Sequence, residues 1–299
     1  MTWKDFASLT KLTIAAASTF TAGAGYLAAL RGFHWGLGTA LLGTLLMALG
    51  SCAWNEVQES PLDGRMARTR NRPVPSGRVS RRAGFLVGLA LAGSGFALLA
   101  QVHGWTAALL GLLALAWYNG VYTPLKRVSA FAILPGALIG ALPPAIGWAA
   151  AGASLRSPAL VALCLVFFLW QVPHFWMLMM LHDRDYVQAR FPTLSRHFRP
   201  EQSARLTFTW TAATACACAF LPAFGAVGSV PALTSLALAS LWLLWTASPL
   251  LRPAPGAPEF RSAFWRINLF ALVLILAVGA DPFLPQPAAR AGAVAQWRP

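Results

Sequence analysis

The chain has 299 residues, 57% of them hydrophobic and 11% charged, with a mean hydropathy of +0.59. Soluble globular chains carry about a quarter charged residues, so the composition excludes a water-soluble enzyme and an intrinsically disordered chain. Lysine and arginine outnumber aspartate and glutamate by 23 to 9, a formal charge of +14. That excess fits either a nucleic-acid partner or one face of a membrane protein, and its placement decides between them.

A bilayer core is crossed by about 20 apolar helical residues. Such stretches are predicted at 8–30, 35–54, 83–103, 105–122, 130–150, 158–181, 206–226, 230–250 and 263–285. The segment Met1–Leu12 does not resemble a signal peptide: Lys4, Asp5 and Lys11 mix its charges, the apolar run that follows is long, and no small-residue cleavage pattern stands out. Gln101, His103 and Gly104 alone separate the third and fourth spans, which predicts a tight hairpin. With the N-terminus inside, 19 of the 23 basic residues fall in inside segments, while Arg31, Arg156, Arg290 and Arg298 fall outside. This is the positive-inside bias, and it removes the need for a nucleic-acid partner. The expectation is an all-α, polytopic membrane protein of about nine transmembrane helices, N-terminus inside and C-terminus outside, with residues 1–299 forming one domain. Two long inside loops, 55–82 and 182–205, follow the second and sixth spans, and loops of that length are usually functional or disordered. Their matching placement suggests a duplicated four-helix unit with a ninth helix appended, although no residue-level repeat supports it. Cys52, Cys164, Cys216 and Cys218 lie in or beside apolar stretches and read as packing residues.

The second span leads into Asn55-Glu56-Val57-Gln58-Glu59-Ser60-Pro61-Leu62-Asp63. Asn55, Glu59 and Asp63 recur at i, i+4 and i+8, which puts an amide and two carboxylates on one helix face. Two carboxylates side by side repel unless a cation sits between them, and Mg²⁺ takes such oxygens while keeping positions open for phosphate. Arg65, Arg68, Arg70 and Arg72 follow, planar forks suited to diphosphate oxygens. The same residues also fit a polar, positive-inside loop. Pro61 argues against one continuous helix. Ser60-Pro61-Leu62-Asp63 reads as an N-cap, a first-turn proline and a first-turn acid. The second span is therefore expected to end near Glu59, with Asp63 opening a short loop helix that carries Arg65, Arg68 and Arg72 on one face and stops at Pro73 and Pro75.

A second constellation closes the sixth span: Trp170-Gln171-Val172-Pro173-His174-Phe175-Trp176, then His182-Asp183-Arg184-Asp185-Tyr186. Asp183 and Asp185 are about 200° apart on a helix, so one of them, not both, suits a shared site. His174, about two turns inside the membrane end, is either a functional group or a partner-bonded core histidine. Between the two constellations, Tyr118-Asn119 and Tyr122-Thr123-Pro124-Leu125-Lys126-Arg127 place a tyrosine and two cations at the same face, where interfacial anchoring is the simpler alternative.

Asn55-x3-Glu59-x3-Asp63-x2-Met66-x-Arg68-Thr69-x2-Arg72-Pro73 resembles the first acidic motif of the UbiA-type intramembrane prenyltransferases. Its continuation is similar to the protoheme IX farnesyltransferase (heme O synthase) branch. Tyr122–Arg127, Gly136-x3-Gly140-Ala141-x-Pro143-Pro144-x2-Gly147, Trp170-Gln171-x-Pro173-His174-Phe175 and Asp185-Tyr186-x2-Ala189-x2-Pro192 resemble the same branch in order, from about Asn55 to Pro192. The resemblance implies a helical bundle around a central cavity, farnesyl diphosphate as donor, heme B as acceptor, heme O as product and Mg²⁺ as cofactor. It implies that Asn55, Glu59, Asp63 and Asp185 bind Mg²⁺ and diphosphate. Arg65, Arg68, Arg72, Lys126 and Arg127 would hold diphosphate or heme propionates, and Tyr122, His174 and Tyr186 would line the pocket. It further implies the bacterial inner membrane, an active site on the cytoplasmic side, and heme A synthase or a heme–copper oxidase as the candidate recipient of the product.

The sequence departs from that pattern at Glu59, where aspartate is usual, at Pro61 within the motif, at Gly64, at His182-Asp183-Arg184 and at Ser195. Two other functions stay open at this stage. A sister enzyme acting on an aromatic quinone precursor would carry an acid where Ala189 stands. A non-catalytic heme–copper oxidase assembly factor or a transporter would show polar groups running from face to face, whereas here the ionisable residues gather on one.

Overall fold

A computed structural model describes residues 1–253 and 255–287. Among the described residues the chain is helical, with nine helices long and apolar enough to cross a membrane. These are Leu12–Leu30, Gly36–Asp63, Arg81–His103, Trp105–Leu125, Ile133–Ala150, Pro158–Leu181, Pro200–Ala223, Val230–Leu251 and Ala257–Phe283, numbered here as the first to ninth spans. The all-α class and the nine spans match expectation. Arg290 and Arg298, assigned to the outer side by the charge count, lie outside the described residues, as does the rest of 288–299.

The fifth span is the most enclosed, and it packs against the first, fourth and sixth. The third and eighth are peripheral and turn Phe85, Leu86, Leu89, Leu238 and Leu241 outward, the surface expected of a lipid-facing helix. Small residues allow close helix crossings. A Cβ on Gly50 of the second span would lie 2.6 Å from the Gly88 carbonyl oxygen and from the Ala92 nitrogen of the third. Only glycine lets those two backbones meet. The hairpin between the third and fourth spans is as tight as predicted, turning on Gly104 with φ +88°.

One expectation fails at the second span. It neither stops near residue 54 nor breaks at Ser60; it continues unbroken to Asp63 with Pro61 inside its last turn. The Ser60 hydroxyl does not cap a new helix. It donates to the Val57 carbonyl at 2.9 Å, the acceptor that Pro61 cannot serve. No loop helix follows: residues 64–79 form successive turns, so Arg65, Arg68 and Arg72 share no helical face. Thr69 Oγ1 fastens this segment to the helix by donating to the Asp63 carbonyl at 2.9 Å.

The helix Trp3–Leu9 precedes the first span and is closed by a capping box between Thr2 and Asp5. Arg78 Nε donates to Asp5 Oδ1 at 2.9 Å, tying this helix to the segment after the second span. That bond, with help from Thr2, draws the Asp5 carboxyl from 3.8 down to about 2. A depressed acid contributes its stabilisation above its unfolded value and loses it as pH falls through the folded one. Hydrogen exchange over residues 3–9 is therefore expected to be faster in Asp5→Asn than in the parent at pH 7. The gap should close as pH falls from about 4 toward about 2; a gap that persists unchanged would show that the carboxylate does not make the tether.

Candidate active site

Asn55, Glu59 and Asp63 line one face at the end of the second span, and all three are buried. Each meets a cation from a different segment. Lys11 Nζ donates to Asn55 Oδ1, Lys126 Nζ pairs with Glu59 Oε1, and Arg72 Nη1 pairs with Asp63 Oδ2 at 2.7 Å. Burial alone would lower the pKa of Arg72 and of Lys126, but Asp63 and Glu59 outweigh it and hold both above their ordinary values. Lys11 is lowered by burial, with Glu59 opposing. Its φ of +47° marks the break between the first short helix and the first span, and that kink is what brings its side chain to Asn55.

The fourth span supplies the opposite wall through a π-helical stretch, Trp117–Tyr122. Pro124 lacks an N–H and crowds the carbonyl four residues back, so the ladder shifts and Thr123 N donates to the Tyr118 carbonyl. The wider turn aims Tyr118, Asn119 and Thr123 at the second span. Asn55 Nδ2 donates to Thr123 Oγ1 at 2.9 Å, the Tyr118 hydroxyl donates to Asn55 Oδ1 at 3.2 Å, and Asn119 Nδ2 donates to Ser51 Oγ at 2.8 Å. Tyr118 stacks on Tyr122 with centroids 5.8 Å apart, Lys126 Nζ stands 5.3 Å from the Tyr122 ring centroid, and Phe175 of the sixth span touches Tyr122 at 6.0 Å. A Cβ on Gly136 would fall 2.7 Å from Tyr122 Cε2, so glycine there makes room for the ring.

The remaining predicted residues lie around this cluster. Arg65 and Arg127 line a cleft of about 320 Å³ beside it, and Arg127 Nη2 donates to the Gln58 carbonyl at 2.8 Å. Tyr186 and Asp185 sit on the helix Asp183–Gln188; the Tyr186 ring meets Phe191 and packs near Met66 and Leu62. Asp183 accepts from Ser195 Oγ at 2.7 Å, while Asp185 bears on His182. His182 is lowered by burial and then by Arg68, with Asp185 opposing. The helix that carries Asp185 reaches the end of the second span through Tyr186, which packs with Leu62 and Met66, and Asp185 itself acts electrostatically on His182. His174 turns toward the ninth span, its ring 4.8 Å from Trp170 and 5.0 Å from Phe264, with a buried Nδ1 that has no hydrogen-bond partner. It reaches the Tyr122 side only through its neighbour Phe175.

Sequence reasoning missed Lys11, which it counted only as a topological charge, and Glu56. Glu56 is fully buried; Oε1 accepts from Val74 N at 3.1 Å, and Oε2 has no hydrogen-bond partner. The available signal was a third acid on the helix face that carries Glu59 and Asp63, at i+3 and i+7 from Glu56.

Among the described residues, nine membrane-capable helices with a buried cluster of acids, cations and tyrosines at one end form the framework of a membrane-embedded enzyme. The chain belongs to the UbiA prenyltransferase family, whose model matches residues 16–278. It is 42% identical over 214 residues to the protoheme IX farnesyltransferase of Nitratidesulfovibrio vulgaris strain DP4, covering 71% of this chain and 74% of that one. It is 40% identical over 246 residues to the protein of the same name from Geobacter sulfurreducens, covering 81% and 88%. Its fold matches that of a UbiA homolog from Archaeoglobus fulgidus solved with GPP and Mg²⁺, at a TM-score of 0.61 and 13% identity, covering 92% of this chain and 99% of the other.

Proposed function

We propose that this chain transfers a farnesyl group from farnesyl diphosphate to a vinyl group of heme B, with addition of water, to give heme O. The observation that carries this reading is the identity of 40–42% to proteins named protoheme IX farnesyltransferase. The geometry supports it: the buried acids, their cations and the tyrosines are the groups that such a transfer needs.

Asn55, Glu59 and Asp63, with Asp185 from the neighbouring helix, form the proposed diphosphate and Mg²⁺ site. Their donors are hard oxygens, which suits Mg²⁺, and the unpartnered Oε2 of Glu56 adds a further buried oxygen with spare accepting capacity. Among the described residues, no three such side chains already form a metal-ligand cluster. When bound, Mg²⁺ would neutralise charge on the leaving diphosphate. Lys126 and Arg72, held at the acids by Glu59 and Asp63, stand ready to hold the phosphate oxygens. Asn55, fixed from three sides by Lys11, Tyr118 and Thr123, keeps the floor of the site rigid. Breaking the allylic C–O bond leaves its electron pair on diphosphate. The vinyl carbon then bonds to the farnesyl C1, and water captures the cation left on the side chain, releasing a proton. Tyr118, Tyr122 and Phe175 present ring faces that stabilise positive charge and exclude bulk water.

The basic, loop-rich end of the bundle is proposed to face the cytoplasm in the bacterial inner membrane, a reading that the positive-inside bias supports. The test of function is direct. Purified protein incubated with heme B, farnesyl diphosphate and Mg²⁺ should convert the pigment to the mass of heme O. Unchanged heme B, beside a heme O synthase that works in parallel, would sink the assignment.

A further inference from the structure

We propose that Arg190, together with Arg65 and Arg127, binds the paired propionate carboxylates of the acceptor in the cleft beside the second span; this rests on the acceptor being heme B. Arg65, Arg127 and Arg190 line a cleft of about 320 Å³ whose apolar lining includes Leu62, Ala189 and Phe191. Among the described residues no carboxylate lines it, in contrast to the acid cluster, where Glu59 and Asp63 are each answered by a cation. The cleft is also distinct from that cluster in position. Gln58 and Leu62 leave the last turns of the second span about 60–100° round the helix axis from Glu59 on the Asn55, Glu59 and Asp63 stripe, and Arg65 follows in the turn beyond the helix end. Two anionic groups can therefore be held side by side, with the diphosphate on the acid stripe and a second anion in the cleft.

Arg190 is the residue that points to a ligand. It is the residue just past the helix Asp183–Gln188 and its Ala189 cap, with φ +62°, the left-handed position that glycine usually fills. Arg190 N donates to the Val187 carbonyl and Phe191 N to the Tyr186 carbonyl, and the Phe191 ring closes on Tyr186, so the turn is complete from its backbone and its neighbours. The Arg190 side chain is exposed at the cleft and is not needed for that turn. Lys11 and Arg31, the other non-glycine residues at positive φ among the described residues, turn their side chains to partners within the fold, whereas the Arg190 side chain opens to the cleft. Guanidinium forks take carboxylates in pairs of hydrogen bonds. The apolar lining suits the adjoining edge of a flat macrocycle, which carries its two carboxylates together.

The test uses the full chain in detergent or nanodiscs, titrated with heme B and, separately, with its dimethyl ester, following the Soret band. The parent should bind heme B about tenfold more tightly than the ester. Arg190→Gly should lose about that factor for heme B, leave the ester and the KM for farnesyl diphosphate unchanged, and melt at the same temperature or higher. Equal loss for both pigments, or undiminished heme B binding, would overturn the proposal. The two readings fail separately. A parent that makes heme O but does not discriminate the ester refutes the cleft alone. A parent that discriminates the ester but makes no heme O refutes the transfer and leaves a carboxylate site.

Discussion

Asp63→Asn is expected to lower kcat/KM for farnesyl diphosphate about 10³-fold while the protein stays folded. The substitution keeps the volume of a side chain that is 2% exposed and can still accept from Arg72, so packing and the 2.7 Å contact are largely preserved. What it removes is the negative charge. That charge holds Arg72 in place, and in the proposed site it would also attract the divalent cation. Without it, Arg72 is a largely enclosed cation lacking its counter-ion, and the diphosphate loses an organised partner. The measurement is steady-state turnover alongside a melting curve in the same detergent. Activity within about tenfold of the parent would mean that the diphosphate site has been placed on the wrong residues. Arg72→Met should be deleterious too, and the double substitution should cost less than the sum of the two, because the residues act as a pair.

Asp281→Ala is expected to cost about 3–5 kcal/mol of stability, without a change in turnover per folded molecule. Asp281 is fully buried at the end of the ninth span. Its Oδ1 accepts from Gly228 N at 2.9 Å and Ser229 N at 2.7 Å, and its Oδ2 pairs with Arg31 Nη1 at 3.0 Å. Arg31 also donates to the Gly225 carbonyl, so one carboxylate joins the ends of the first and ninth spans to the turn before the eighth. Alanine takes the acceptor from two buried N–H groups and removes the buried carboxylate that pairs with Arg31. Lys11 and Arg31 bracket the first span at its two ends, about 28 Å apart along the helix, so this knot is remote from the acid cluster. Thermal unfolding in detergent checks the first half of the expectation. Assays well below the transition check the second, and a kcat that fell with the melting temperature unchanged would contradict it.

The spans were legible because a bilayer leaves a strong imprint on composition: long apolar runs, with arginine and lysine crowded into alternate loops. The acid stripe was legible because its residues are neighbours on one helix, where spacing alone sets direction. Legibility failed where a local rule met a local compensation. Pro61 is a helix breaker by rule, but the Ser60 hydroxyl takes the carbonyl that proline leaves empty, and the helix runs on to Asp63. Distant contacts left no trace of their own. Lys11 reads as an anchor until the kink before the first span swings it to Asn55, 44 positions along the chain. Tyr118 and Thr123 face the same amide only because Pro124 forces a wider turn of helix.

From the sequence alone came the all-α class, the nine spans and the residues of the acid motif, since each depends on neighbours within a few turns of one helix. The tertiary structure decided which cation answers which acid, Lys126 for Glu59 and Arg72 for Asp63, and that the arginine-lined cleft stands beside them. Those pairings join segments far apart in the chain, and they are set by helix crossings and by the cost of burying a charge without a partner.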